Sequence, residues 1–441
     1  MTQSKSAKLF EQALKVLPGG VSRNTIFSRP HPTYVEKGEG CYVTDIEGNT
    51  RIDFANNMAS LIHGHCQPQI IAAITEQLHK GTCFTLATEA EVKYAQLLCD
   101  RVPSFDKIRF TNSGTEAVMA MLKAARAYTG KAKIAKVEGA YHGAYDYAEA
   151  SQTSSPANWG DAANPKSVPV AVGTPEGALD DVVIIPYNNV KGALEILNKY
   201  KGELACVLLD PVSHRVGLVA ASDEFVEAIH QWTRENEALM VFDEVITFRC
   251  AYGGAQERYS VKPDMTAIGK LIGGGFPVGA LAGSNEVMKV LDPMEPKVLL
   301  PHSGTFSANP ITMTAGRVAM ELYDETAVKQ INALCDKARL LIEAVIETVG
   351  IKACVTGSGS MLRVHLKPQP PTNYREAYLD AKEQAKLVEL LDYLFDNGLM
   401  MINTCTTMFS TAIGDKEVAI LVETLESGFR MLLEKHPDMA V

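Results

Sequence analysis

The stretch Thr266-Ala-Ile-Gly-Lys-Leu-Ile-Gly-Gly-Gly-Phe-Pro-Val-Gly-Ala280 decides how the chain is read. An apolar run ends on a single lysine, Lys270, and a triple glycine, Gly273 to Gly275, follows. A lysine among apolar residues is costly to bury unless it is paired or chemically used. Glycines let the backbone pass close to a bulky group or take positive φ. The stretch therefore describes either a solvated lysine in a glycine-rich loop or a lysine presented to a cofactor. In the second case the glycines leave room for the ligand and the moving side chain.

On both sides of this stretch, apolar runs alternate with amphipathic helices. The runs are 108–110, 134–137, 182–185, 205–209, 239–242, 265–268 and 279–282; helices are expected over 115–128, 190–200 and 223–236. Short strands apolar on both faces, separated by helices, imply a mostly parallel seven-stranded sheet covered on both sides. Ligands of such sheets bind in the loops after the carboxyl ends of the strands. The first part of the chain reads as a helix over 5–17 stopped by Pro18-Gly19-Gly20, then short strands near 34–36, 41–45 and 51–54, then helices over 68–79 and 89–101. A long helix begins after Asn309-Pro310. From about 330 onward the pattern is a smaller α+β unit, with helices 330–348, 376–397 and 415–435 and strands near 353–355, 361–366 and 399–402. Residues 151–174, rich in Ser, Pro, Ala and Gly, read as a surface excursion.

Four pieces carry chemistry. Asn112-Ser-Gly-Thr-Glu-Ala117 joins a strand to a helix, where free amides favour an anion such as phosphate; Thr115 as a plain helix cap explains it too. Asp243 ends the buried run 239–242 and needs a positive or hydrogen-bonded partner, which a protonated ring nitrogen or a structural salt bridge would supply. Lys270 lies 27 positions later across one intervening strand, so both groups can meet at the strand ends. Tyr141-His142-Gly143 follows another strand, and its aromatic ring can stack on a planar ligand or pack in the core. One ligand uses all four features: pyridoxal 5'-phosphate, with its aldehyde for lysine, its ring nitrogen for a carboxylate and its phosphate for a helix end.

These motifs, with Gly304-Thr305 and Asn309-Pro310, resemble the class III aminotransferases of fold type I over nearly the whole chain. The resemblance implies that Lys270 is the Schiff-base lysine and proton shuttle and that Asp243 pairs with the ring nitrogen. Val245 and Tyr141 would cover the two ring faces; Ser113, Gly114 and Thr115, with the Tyr141-His142-Gly143 turn, would complete the cofactor site. Thr305 would reach the phosphate of a neighbouring subunit, which implies a homodimer with shared active sites. The implied domains are 1–55 as the N-terminal segment of the small domain, 56–325 as the large cofactor domain and 326–441 as the C-terminal small domain.

Within the class, the chain is similar to the branch of glutamate-1-semialdehyde aminomutase and the β-amino acid aminotransferases. Leu17-Pro-Gly-Gly-Val21 fits both, while the placement of Arg23 is more like the β-amino acid enzymes, in which an arginine grips a substrate carboxylate. Asn57, Met58, Ser60 and Phe84 fall where the family places substrate-pocket residues. Two departures stand out. The C-terminal loop 403–407 has no arginine, and Asp210-Pro211-Val212 followed by Ser213-His214-Arg215 replaces the family's Glu-Pro-Val, putting His214 at the pocket. The implied reaction moves an amino group from a primary amine or β-amino acid to an α-keto acid such as pyruvate or 2-oxoglutarate. The aminomutase reaction, or a catalytically silent cofactor-binding regulator, is the alternative.

Composition narrows the classes further. A net charge of -10 offers no basic surface for nucleic acid or membrane, and no apolar run reaches spanning length. Nine scattered cysteines without a C-x-x-C pair, and a polar start, suggest a cytoplasmic protein with reduced thiols. His63 and His65 are the only close histidine pair, so no metal site is expected.

Overall fold

In a computed structural model, which describes residues 4–441, the strands of the central sheet are Lys107–Thr111 (β1), Lys133–Val137 (β2), Val182–Ile185 (β3), Leu204–Leu209 (β4), Leu239–Asp243 (β5), Met265–Gly269 (β6) and Gly279–Gly283 (β7). Their spatial order is β1-β7-β6-β5-β4-β2-β3. All are parallel except β7, which runs antiparallel to both of its neighbours. β4 to β7 are buried at every position, so they read as unbroken apolar runs rather than alternating ones. The sheet is the one expected from the alternation of runs and helices.

Helix Gly114–Thr129 (α1) leaves β1 and packs its Ala117, Val118, Met121 and Ala125 face against the sheet. Helix Pro310–Leu322 (α2) starts on Pro310, whose fixed φ suits a first turn, with Asn309 as its cap. The helix expected after Asn309-Pro310 ends at Leu322, and the next, expected from 330, starts earlier: Asp324 caps Glu325–Val349 (α3). The capping carboxylate, which accepts from the Ala327 amide, is the local reason for the break.

The smaller unit holds a three-stranded antiparallel sheet of Cys354–Ser358, Met361–His365 and Thr406–Met408. The last of these falls in the stretch expected to be a loop, since its threonines carry no apolar period. The N-terminal strands Val35–Glu39, Tyr42–Asp45 and Thr50–Asp53 are joined by Leu399–Met400, with Leu399 opposite Ile52. The two ends of the chain thus share one sheet. The first helix is shorter than expected, Lys5–Ala13. The 151–174 excursion is pinned rather than free. Ser151 and Ser154 are buried, and Arg375 both pairs with Glu138 at 2.9 Å and lies over the Trp159 ring. Among the described residues no helix is long and apolar enough to cross a membrane.

Candidate active site

β6 delivers Lys270 directly. The residue takes φ +50, a left-handed value that side chains other than glycine rarely adopt, and opens the tight turn Lys270–Gly273. Such strain persists where packing over-determines it, often at a site of chemistry. Burial pushes the Lys270 amine down from its ordinary range, with Asp243 and Asp210 opposing that shift. The triple glycine does less for the ligand than expected. A Cβ on Gly273 would sit 2.7 Å from Val278 Cγ1, and one on Gly274 would strike the Ala315 carbonyl of α2. Only Gly275 reaches the cavity. The first two glycines let the lysine turn wedge between β7 and α2.

Asp243 ends β5 beside Ala267 of β6, three residues before Lys270, so strand register brings the two together. Its Oδ1 accepts the Val245 amide at 3.0 Å, and its Oδ2 lies 2.8 Å from His142 Nδ1. The same imidazole nitrogen lies 3.3 Å from Asp210 Oδ1. Phe242 of β5 is opposite Leu209 of β4, so the residues that follow, Asp243 and Asp210, stand side by side. Burial pushes Asp210 up to about 6, with His142 opposing and Asp243 adding to the shift. One ligand atom from each of His142, Asp210 and Asp243 lies within 4.8 Å of the others, a closeness their shared hydrogen bonding accounts for. His142 Nε2 and Asp210 Oδ2 are buried without a partner. Asp210 did not stand out as a site residue in the sequence. The signal was available: a carboxylate directly after each of two adjacent apolar runs.

The third wall is the start of α1. Ser113, rather than Thr115, caps the helix, its Oγ accepting the Glu116 amide at 3.1 Å. The amides of Gly114 and Thr115, in the first turn, have no acceptor within the helix. Close packing fixes this corner. A Cβ on Gly114 would sit 2.8 Å from Val245 Cγ1, and one on Gly143, at φ +90, would sit 2.5 Å from Thr115 Oγ1. Val245 is held between Gly114 and Gly269 and faces the cavity.

These groups line one cavity of about 580 Å³, together with Tyr141, His142, Gly143 and His214. The Tyr141 ring meets the His214 ring edge-on at 6.0 Å. Arg23 comes in from the N-terminal segment and donates to Asn57 Oδ1 at 2.9 Å. Asn57 belongs to a left-handed turn in which Asn56, Asn57, Met58 and Ala59 have φ of 45, 44, 56 and 75. Three expected residues lie elsewhere. Met58, between Asn57 and Ser60 in sequence, does not line the cavity, Phe84 is 53% exposed and covers Gly81, and Thr305 is exposed and off the cavity surface. Besides Asp210, the lining residues not foreseen include Val118, Val212, Ile246, Thr247 and Phe276.

The residues present fit pyridoxal phosphate. A half-buried lysine, a buried carboxylate backed by an imidazole, and a capped helix start with free amides all open on one cavity, and Gly114 and Gly143 keep side chains out of the phosphate corner.

The comparisons bear on the same point. The family model described as aminotransferase class-III matches residues 26–428. The chain belongs to the class III aminotransferases and is a pyridoxal-phosphate-dependent enzyme of fold type I. It is 36% identical over 374 residues to the glutamate-1-semialdehyde 2,1-aminomutase of Methanothermobacter thermautotrophicus, spanning 85% of this chain and 86% of the relative. An omega-transaminase from Sphaerobacter thermophilus superposes with a TM-score of 0.95 at 42% identity, covering 97% of this chain and 98% of that one. The beta-phenylalanine aminotransferase of Variovorax paradoxus superposes with a TM-score of 0.86 at 28% identity, covering 99% and 95%.

Proposed function

We propose that the protein is an aminotransferase that takes an amino group from a primary amine or β-amino acid and passes it to an α-keto acid such as pyruvate or 2-oxoglutarate. The observation that carries this reading is the convergence of Lys270, Asp243 and the α1 start on one cavity. Pyridoxal phosphate, when bound, supplies an aldehyde for the amine and a ring that accepts electrons. Lys270 would hold it through a Schiff base, Asp243 would face its ring nitrogen, and Ser113, Gly114 and Thr115 would take its phosphate. Val245 and Tyr141 would bound the ring on its two faces.

The chain's own residues then divide the work. Lys270 Nζ, its basicity lowered by burial, is a free amine at neutral pH more often than an exposed lysine. Freed when the incoming amine takes its place, it would act as the base that takes a proton from the substrate carbon and as the acid that delivers it to the carbon on the far side of the amine nitrogen. Asp243 would face the ring nitrogen, and His142, 2.8 Å from its Oδ2, holds that carboxylate in place. Arg23 and His214 lie at the substrate end, where a carboxylate or aryl group would be oriented.

The division into 1–55, 56–325 and 326–441 and the homodimer belong to the same reading. Thr305, exposed and away from its own cavity, suits a contact with the partner's phosphate site. A second reading has its own support: the curated relatives are aminomutases. An aminomutase would turn over glutamate-1-semialdehyde with no external acceptor. The deciding experiment offers the purified holoenzyme 1-phenylethylamine or 3-amino-3-phenylpropanoate with pyruvate, and separately glutamate-1-semialdehyde alone. Alanine formed from either donor supports the aminotransferase. Turnover of the semialdehyde alone, with no alanine from the donors, replaces it with the aminomutase.

A further inference from the structure

Arg363 lies in strand Met361–His365 and is 6% exposed. It can donate five hydrogen bonds and cannot lose its charge. One acceptor is in place, the His214 carbonyl at 3.3 Å from Nη1, and Nε is buried without a partner. Among the described residues no carboxylate faces it. The nearby ionisable groups are the Cys405 thiol, itself pushed up to about 12 by burial and so neutral, and Arg215, a second cation. Arg215 is half-buried and donates to the Gln152 carbonyl at 2.8 Å.

A guanidinium buried among neutral and positive neighbours is unfavourable unless an anion answers it. The two carboxylates of the cavity are already engaged, Asp243 and Asp210 both at His142. The wall next to Arg363 is His214, which lines the cavity. Among the described residues no hydrogen bond uses its ring nitrogens, and neither nitrogen is enclosed, so the half-buried ring is open to the cavity it lines. Burial, then Arg215, Lys270, His142 and Arg363, disfavour a proton on this ring. A neutral imidazole still presents one N–H to a ligand. The strand places Met361 on the same side as Arg363, and Met361 packs with Val212, another cavity residue, so this face of the strand backs the cavity wall.

We propose that the His214 end of the cavity is a carboxylate subsite, in which the His214 ring N–H donates to the anion and the buried Arg363, seconded by Arg215, supplies the charge that attracts it. The ligand is the carboxylate of a keto-acid acceptor or a β-amino acid donor. This rests on the aminotransferase reading for the identity of the ligand, but the subsite is testable without turnover. Arg23, exposed and occupied by Asn57, is then a secondary contact rather than the main grip.

The test is equilibrium binding to the holoenzyme by calorimetry, with 3-phenylpropanoate and its neutral counterpart 3-phenylpropanamide as probes. The wild type is expected to prefer the acid. Arg363→Met is expected to weaken the acid by about thirtyfold or more while moving the amide less than about threefold. Arg363→Lys, which keeps the charge, is expected to recover much of the loss. Equal affinity of the wild type for acid and amide, or an Arg363→Met variant that binds the acid as the wild type does, overturns the proposal; so does a parallel loss of both probes. If Arg363→Met does not fold, His214→Ala reports on the same contact, and undiminished acid binding there overturns the proposal equally. Failure of amino transfer in the presence of intact acid binding would instead count against the aminotransferase reading alone.

Discussion

Gly143→Ala probes the corner where an anion would sit. At φ +90 an alanine is strained by about 1–2 kcal/mol before any contact is counted. The new Cβ would lie 2.5 Å from Thr115 Oγ1 and 2.8 Å from Thr115 Cα. The hydroxyl can rotate away, but the backbone atom cannot. Ordinary contact begins near 3.4 Å, so the start of α1 must retreat by about 3.4 − 2.8 = 0.6 Å. Overpacking of this kind costs about 1–3 kcal/mol, giving a total of about 2–5 kcal/mol. Part of it falls on the empty fold and part on the displaced amides of Gly114 and Thr115. The assay has two readings: cofactor dissociation constant from absorbance, and Tm of the apo and loaded protein. Cofactor affinity is expected to fall by about tenfold or more, at 1.4 kcal/mol per decade, with a lower Tm in both forms. Gly177→Ala, where an added Cβ meets nothing within 4 Å, serves as the control and is expected to change neither. Wild-type affinity and Tm in Gly143→Ala would refute the reasoning.

Asp243→Asn removes the charge proposed to face the ring nitrogen and is expected to lower kcat by at least about a hundredfold with the fold retained; steady-state kinetics and circular dichroism check it. Lys136 is fully buried and donates to the carbonyls of Ala140, Ala148 and Ala150 at 2.9, 2.6 and 2.7 Å, fixing the turn that carries Tyr141 and His142. Burial pulls it down to about 7, yet three carbonyl acceptors match the three protons of an ammonium; Lys136→Met, which strands those carbonyls, is expected to cost about 2–4 kcal/mol in a denaturant titration and to weaken cofactor binding. His365 accepts or donates at Thr356 Oγ1 over 2.8 Å, and burial pulls it down to about 3. A histidine so depressed binds its proton more readily unfolded than folded, so its contribution is complete above about pH 6.5 and is lost as pH falls toward 3, by at most about 5 kcal/mol. His365→Gln is expected to flatten that acid limb in Tm measured against pH.

The sheet and the cofactor constellation were legible because each rests on local signals. Unbroken apolar runs identify buried strands, and Asp243 and Lys270 stand at the ends of two of them, while Ser113–Thr115 carry the small, hydroxyl-rich signature of a strand-to-helix turn. What the sequence hid depends on pairing across long separations or on backbone conformation. The tie from His142 to Asp243 spans 101 positions, and Asp210 joins it only through the register of β4 with β5. Arg363 looks like any strand residue until its lack of a counter-charge is seen in three dimensions. The left-handed turn at Asn56–Ala59, in which Asn57 lines the cavity and Met58 does not, contains no glycine to announce it. The strand Thr406–Met408 was hidden because two of its three residues are threonines, which are buried opposite Arg363 and Leu362 without forming an apolar period.

The central claim is that Lys270 carries the cofactor. Reduction of the loaded protein with borohydride, followed by peptide mass spectrometry, measures this directly. The expected result is a stable cofactor adduct confined to the peptide containing Lys270 and absent in Lys270→Ala. An adduct on another lysine, or the same adduct yield in Lys270→Ala, would contradict it.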